Sequence, residues 1–189
     1  MPPPFLPLTR AEFGDALARF GWTRRVTEVH MHHTYIPARK DWRGEPTVRG
    51  MWRYHTETNG WSDIAQHLTI APDGSLWTGR DWNAAPASSG DRPGNNGTRT
   101  AGPFMFETVG NFDAGRDPFD GVQRAAVLGV IARLQLRFGL PPESLRFHRD
   151  LGSPKTCPGS GIVYADVLAA VRAERARLSA AVVPAAPSA

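Results

Sequence analysis

Hydrophobic and polar positions along the chain change period several times, and each change marks an element. Thr9 is followed three positions later by Glu12, the spacing of a capping box. Phe13, Ala16, Leu17 and Phe20 then form a helical stripe that Gly21 closes. From Val26 to His33 the pattern turns to alternation, with Val29 and Met31 on one face of a strand and His30 and His32 on the other. Residues 37–46 read as a polar loop, and Val48, Met51, Trp52 and His55 recur at helical spacing within 47–58. Ile64 to Ile70 reads as a strand. Pro72-Asp73-Gly74 reads as a hairpin turn, with a return strand from Ser75 to Gly79.

Residues 83–102 are rich in Gly, Asn, Ser and Pro, the composition of a long functional or mobile loop. Phe104 to Val109 follows as a strand. Gly121 to Phe138 gives the clearest helix, closed by Gly139 and the pair Pro141-Pro142. Leu145 to His148 is a short strand and Ile162 to Leu178 a last amphipathic helix. Residues 1–8 are a Pro-rich extended lead-in, and the Ala/Pro/Ser-rich tail from Ala180 is expected to be disordered. The order α-β-α-β-β-β-α-β-α predicts an α/β fold, a single domain with a central mixed β-sheet flanked by helices. The expected division is an N-terminal extension and helix over residues 1–25, the main domain over 26–178, and the tail over 179–189.

Composition narrows the class. The chain has 189 residues, enough for one sizeable core, with 41% hydrophobic and 21% charged positions. A net charge of +4 favours an anionic partner such as a nucleic acid, an acidic membrane or a bacterial cell wall. Its basic residues are scattered, so nucleic acid is not the expected partner. One cysteine excludes an internal disulfide. No apolar run approaches a transmembrane helix, and Met1 to Pro7 lacks the basic and apolar regions of a signal peptide. The expectation is a cytoplasmically made monomer that something else must release if it acts outside the cell.

The chemistry concentrates in two segments. Glu28-Val29-His30-Met31-His32-His33-Thr34 ends a strand in histidines. More than a hundred residues later, His148-Arg149-Asp150 leads to Lys155-Thr156-Cys157-Pro158-Gly159, which holds the sole cysteine amid turn residues. Two His and one Cys can hold Zn²⁺ and leave a fourth position open for water, whereas a structural zinc site would need a fourth protein ligand.

Further runs stand in order between these segments: Gly60-Trp61-Ser62-Asp63-Ile64-Ala65-Gln66-His67, Asp73-Gly74-Ser75 with Gly79-Arg80, and Phe106-Glu107-Thr108-Val109-Gly110-Asn111-Phe112. Together with the His and Cys segments, from about Val26 to Val171, the sequence resembles the zinc N-acetylmuramoyl-L-alanine amidase family, which includes the phage T7 lysozyme type and the peptidoglycan recognition proteins. The resemblance implies one Zn²⁺ held by His32 (the first histidine of His-His-Thr), His148 and Cys157. It also implies a substrate in bacterial peptidoglycan or muropeptides, and hydrolysis of the amide between the lactyl group of N-acetylmuramic acid and L-alanine. Lys155 matches the lysine of catalytic members and would stabilise an oxyanion.

The T7-like branch has a tyrosine where this chain has Gln66. Other members have a glutamate in the strand ending Val-Gly, which Glu107 matches, so Glu107 is assigned as general base. An unpaired carboxylate inside a core strand is costly, which also points Glu107 at a site. His67 and Gln66 are candidate substrate contacts. Trp77, Trp82, Asn83 and the loop to Gly102 are candidate walls of a sugar-peptide groove. His30 is a candidate supporting partner for the ligands, Trp61 a core residue, and Asp150 a turn or capping residue. Family members lacking the Cys ligand bind peptidoglycan without cutting it, so a recognition module is the alternative to an active amidase. A phage endolysin, a recycling or remodelling enzyme, and a delivered effector all fit. Arg172, Arg175 and Arg177 form either a surface for an anionic membrane or a solvated helix face.

Overall fold

A computed structural model describes residues 4–88 and 94–181. Pro7–Leu8 (β1) precedes helix α1 (Arg10–Arg19), then β2 (Arg25–His33) and α2 (Glu45–Arg53). β3 (Leu68–Ile70), β4 (Leu76–Thr78) and β5 (Ala101–Thr108) follow, then α3 (Gly121–Phe138), β6 (Leu145–Phe147) and α4 (Tyr164–Ala180). The strands form one six-stranded sheet in the order β1-β4-β3-β5-β2-β6. β3, β5, β2 and β6 run parallel, and β4 and β1 complete one edge antiparallel. The four parallel strands therefore end on the same side of the sheet, where open α/β sheets build their crevices.

Helices cover both faces. Phe104 and Phe106 of β5 pack with Val29 and Met31 of β2 against α1, α3 and α4, which contribute Phe13, Val127, Ile131 and Val171. On the opposite face Val48 and Met51 of α2 join Phe5, Ile64 and Trp77 in a second cluster. Phe13 and Leu17 of α1 are buried in the main core, so the N-terminal helix belongs to the same body.

Local chemistry explains most boundaries. Thr9 and Glu12 close the expected capping box on α1. Gly139 ends α3 with φ 63°, the left-handed conformation that glycine adopts without penalty. Three features depart from the sequence pattern. The lead-in is not merely extended: Pro7 and Leu8 pair with Trp77 and Leu76 at the sheet edge, where proline's missing N–H costs nothing. The expected loop 37–46 contains a 3₁₀ turn at Arg39–Asp41, and α2 starts at Glu45 with Pro46 in its first turn. The expected strand from Ile64 is ordered only from Leu68 into the ladder. Upstream, Arg80 takes the carbonyls of Asp63 and Ile64, and His55 takes the Ala65 N–H, leaving few backbone groups for pairing. The tail expected to be disordered lies outside the described residues from 182 onward. Among the described residues no helix is long and apolar enough to cross a membrane.

Candidate metal centre and groove

Parallel register sets the site. His32 of β2 lies opposite Glu107 of β5, and Glu107 opposite Thr69 of β3, so these side chains emerge on one face. β6 ends at Phe147, and a 3₁₀ turn over His148–Leu151 brings His148 beside His32, with ring centroids 4.3 Å apart. Cys157 arrives from the following loop. Its carbonyl accepts the Arg149 N–H at 2.8 Å, and its sulfur accepts the His33 N–H at 3.3 Å. Gly159 lets this loop press on Phe112, where an added Cβ would sit 2.5 Å from backbone atoms.

One nitrogen each from His32 and His148 and the Cys157 sulfur lie within 4.8 Å of one another, and all three residues are buried. His33 is set apart from them. Its Nδ1 accepts the Phe112 N–H, so the ring serves the neighbouring turn. Two imidazoles and a thiol at this spacing are a donor set suited to Zn²⁺. Burial, with a smaller contribution from the Glu107 charge, pushes the Cys157 thiol up to about 12 against the opposing His33 N–H, so a cation at this point is what would keep the sulfur as thiolate.

The cluster opens on a cavity of about 1370 Å³, lined also by Glu107 and Lys155. Burial raises the Glu107 carboxyl to about 7, and the Lys155 charge partly offsets the rise. Lys155 itself is exposed at the rim. The far wall is one face of α2 and the π-helical turn after it, with Met51, Tyr54, His55 and Asn59, and Trp61 beyond.

The structure thus brings together His32, Glu107, His148, Lys155 and Cys157. It places the proposed substrate contacts elsewhere. The His67 ring is fully buried, accepting from Met105 N–H and bonded to the Ala84 carbonyl. Gln66 is buried and donates to Thr69. Trp82 is core, packed by Phe13, Phe20, Trp22 and Phe104. Asn83 caps Thr23 and Arg24 N–H groups and donates to Gly21. Trp77 packs on Trp42 in the second cluster. Trp61, read as core, instead reaches the cavity beside His55. His30 shares the His32 face and bonds the Glu28 carboxylate at 2.9 Å. Arg172, Arg175 and Arg177 are engaged with Glu143, Gln135 and Glu174 respectively. His55, Trp61 and Tyr54 had no local signal as site residues, because their role depends on how α2 lies across the sheet.

Buried neutral histidines should make the fold acid-sensitive. Burial lowers His33 and His55 to about 4 and His67 to about 3. Below pH ~6.5 the unfolded chain protonates these groups while the folded chain does not. Glu107 works the other way, since its raised value makes the folded state the better proton binder between about 7 and 4.5. Three groups against one leave about two excess protons on the unfolded chain. Stability should therefore fall by on the order of 3 kcal/mol per pH unit between pH ~6.5 and ~4.5. Melting midpoints measured from pH 7.5 to 5 check this; a flat or rising profile on acidification contradicts the assignment.

The class is that of α/β domains with a His-His-Cys cluster at the carboxyl ends of parallel strands. More particularly, the chain belongs to the N-acetylmuramoyl-L-alanine amidase family, whose family model matches residues 22–160. It is 31% identical over 139 residues to an N-acetylmuramoyl-L-alanine amidase of Sus scrofa, covering 71% of this chain but 22% of that protein. It is 32% identical over 147 residues to an endolysin of Enterobacteria phage K11, covering 75% of this chain and 87% of the endolysin. Among solved structures, a mutant of Drosophila PGRP-LB in complex with tracheal cytotoxin superposes with TM-score 0.61 at 25% identity, covering 85% of this chain and 91% of that one.

Proposed function

We propose that the protein is a peptidoglycan hydrolase that cuts the amide between the lactyl group of N-acetylmuramic acid and L-alanine of the stem peptide, using one Zn²⁺. The observation that carries this reading is the convergence of His32, His148 and Cys157 with Glu107 and Lys155 on one groove. Family membership and the similarity to an endolysin over most of that protein's length support it, and favour a lytic role. That a relative of the same fold was solved with tracheal cytotoxin supports a muropeptide as the occupant of the groove.

His32, His148 and Cys157 would hold the ion, which when bound would polarise the scissile carbonyl and lower the pKa of a coordinated water toward ~7. Glu107 takes the proton of the attacking water and returns it to the leaving L-alanine nitrogen as the C–N bond breaks. A carboxyl near pH 7 suits both halves of that task. The Lys155 ammonium faces the same cavity and stabilises the negative charge that develops on the carbonyl oxygen.

Two results follow from this pair. Lys155→Met should lower kcat by roughly 10²–10³-fold, the size of losing one oxyanion donor. The same change should move the acidic limb of the pH–rate profile upward, because Lys155 is the charge that holds the Glu107 carboxyl down. A limb that stays in place would remove Lys155 from the vicinity of the base. The overall reading is tested by incubating purified peptidoglycan with the protein and labelling new amino groups. Label on L-alanine, lost with chelator and restored by Zn²⁺, is expected. Binding to peptidoglycan without any new amine would identify a recognition module instead.

A further inference from the structure

Both ligand-bearing segments near the carboxyl end of the chain meet at one side chain. Arg149 follows His148 directly, and its backbone N–H donates to the Cys157 carbonyl at 2.8 Å. Its guanidinium then reaches around the Cys157 loop. Nη1 donates to the Gly159 carbonyl at 2.7 Å and, more weakly, to that of Thr156 at 3.5 Å. Nη2 donates to the Ile162 carbonyl at 2.8 Å. The guanidinium carbon sits 4.9 Å from the centroid of the Phe147 ring, the residue on the other side of His148. Among the described residues Arg149 has no carboxylate partner, so its charge is spent on backbone carbonyls that bracket Cys157.

We propose that Arg149 is a positioning residue that locks the Cys157 loop against the His148 turn, so that the sulfur and the imidazole are held at ligand spacing before any ion arrives. A planar fork is needed for this. Two nitrogens of one rigid group must satisfy carbonyls at 159 and 162 together, which a lysine ammonium on a flexible stem does not reproduce. Groups that orient ligands without touching the ion typically carry about 10–100-fold of metal affinity. The part of the inference that concerns zinc rests on the function proposed above; the part that concerns the loop does not.

The test uses Arg149→Lys and Arg149→Ala in the full chain, with two readouts. Metal-free protein is first titrated with a thiol reagent; Cys157 is the sole cysteine and 5% exposed, so the rate reports exposure at this loop, and the melting point separates local opening from global unfolding. Zinc affinity is then measured by competition with a chromophoric chelator, and the thiolate-to-Co²⁺ absorption band of the cobalt-substituted protein reports whether the sulfur still binds. Arg149→Lys keeps charge and bulk and guards against failure of the alanine variant to fold. In Arg149→Lys we expect thiol reactivity to rise about tenfold or more without a matching fall in the metal-free melting point, with zinc affinity lowered by about 10–100-fold and a weakened cobalt band. Wild-type thiol reactivity in Arg149→Lys, with zinc affinity unchanged, would overturn the proposal. So would reactivity that rises only in step with global unfolding. A wild-type protein that binds no zinc would end the zinc reading, and the thiol rates would then decide the role of Arg149 by themselves.

Discussion

Cys157→Ser should release the metal and bring hydrolysis down to the level of chelated protein. Serine keeps the volume of the side chain but not a thiolate, and it leaves two imidazoles to hold an ion that a three-ligand site needs. Residues that merely orient ligands carry about 10–100-fold of affinity, so loss of a ligand should exceed that range. The fold should survive. The Cys157 loop is tied by its own backbone through Arg149 and by the Arg149 guanidinium to Gly159 and Ile162, none of which involve sulfur. Metal content by mass spectrometry, far-ultraviolet dichroism and amide hydrolysis separate the possibilities. Retained hydrolysis at wild-type rate in the serine variant would contradict the metal assignment.

Glu107→Gln should separate chemistry from metal binding. The amide is nearly isosteric, so His32 opposite it in the sheet is undisturbed and zinc content should remain at one ion. Without a group that can accept and return a proton, kcat should fall by about 10²–10⁴-fold. Stability should move the other way near neutral pH. Burial disfavours the Glu107 carboxylate, as its rise to about 7 records, and a neutral side chain removes that cost. The remaining activity should also lose its acidic limb near pH 7. A variant with unchanged kcat would leave the base unassigned, because Gln66 is buried and bonded to Thr69 and does not line the cavity.

Elements fixed by local chemistry were legible: the Thr9–Glu12 box, the Gly139 stop and the long apolar face of α3 all depend on neighbours within one or two turns. The clustering of His32, His148 and Cys157 was legible through the resemblance, whose ordered motifs single out His32 rather than His33, and not through the bare spacing of two histidines and a cysteine. His67, Trp82 and Asn83 lie away from the groove for a common reason. Each is polar or amphipathic and lies near the motif, yet each has its polar atoms satisfied by backbone from a distant segment: Met105 and Ala84 for His67, the His67 carbonyl for Trp82, Thr23 and Gly21 for Asn83. Alternation also has limits in a sheet covered on both sides. Val29 to His33 is buried throughout, so period two separates the faces but does not say which one holds the groove. The groove wall made by Tyr54, His55 and Trp61 arises from the placement of α2 over that face, a tertiary fact with no signature in its own sequence.

The central claim is tested most directly by titrating metal-free protein with Zn²⁺ while following hydrolysis of a defined N-acetylmuramoyl-peptide by mass spectrometry. Free N-acetylmuramic acid and a peptide beginning at L-alanine are expected, with a rate that rises linearly and breaks at one equivalent of zinc. Intact muropeptide at every zinc level, despite binding of both zinc and muropeptide, would contradict it.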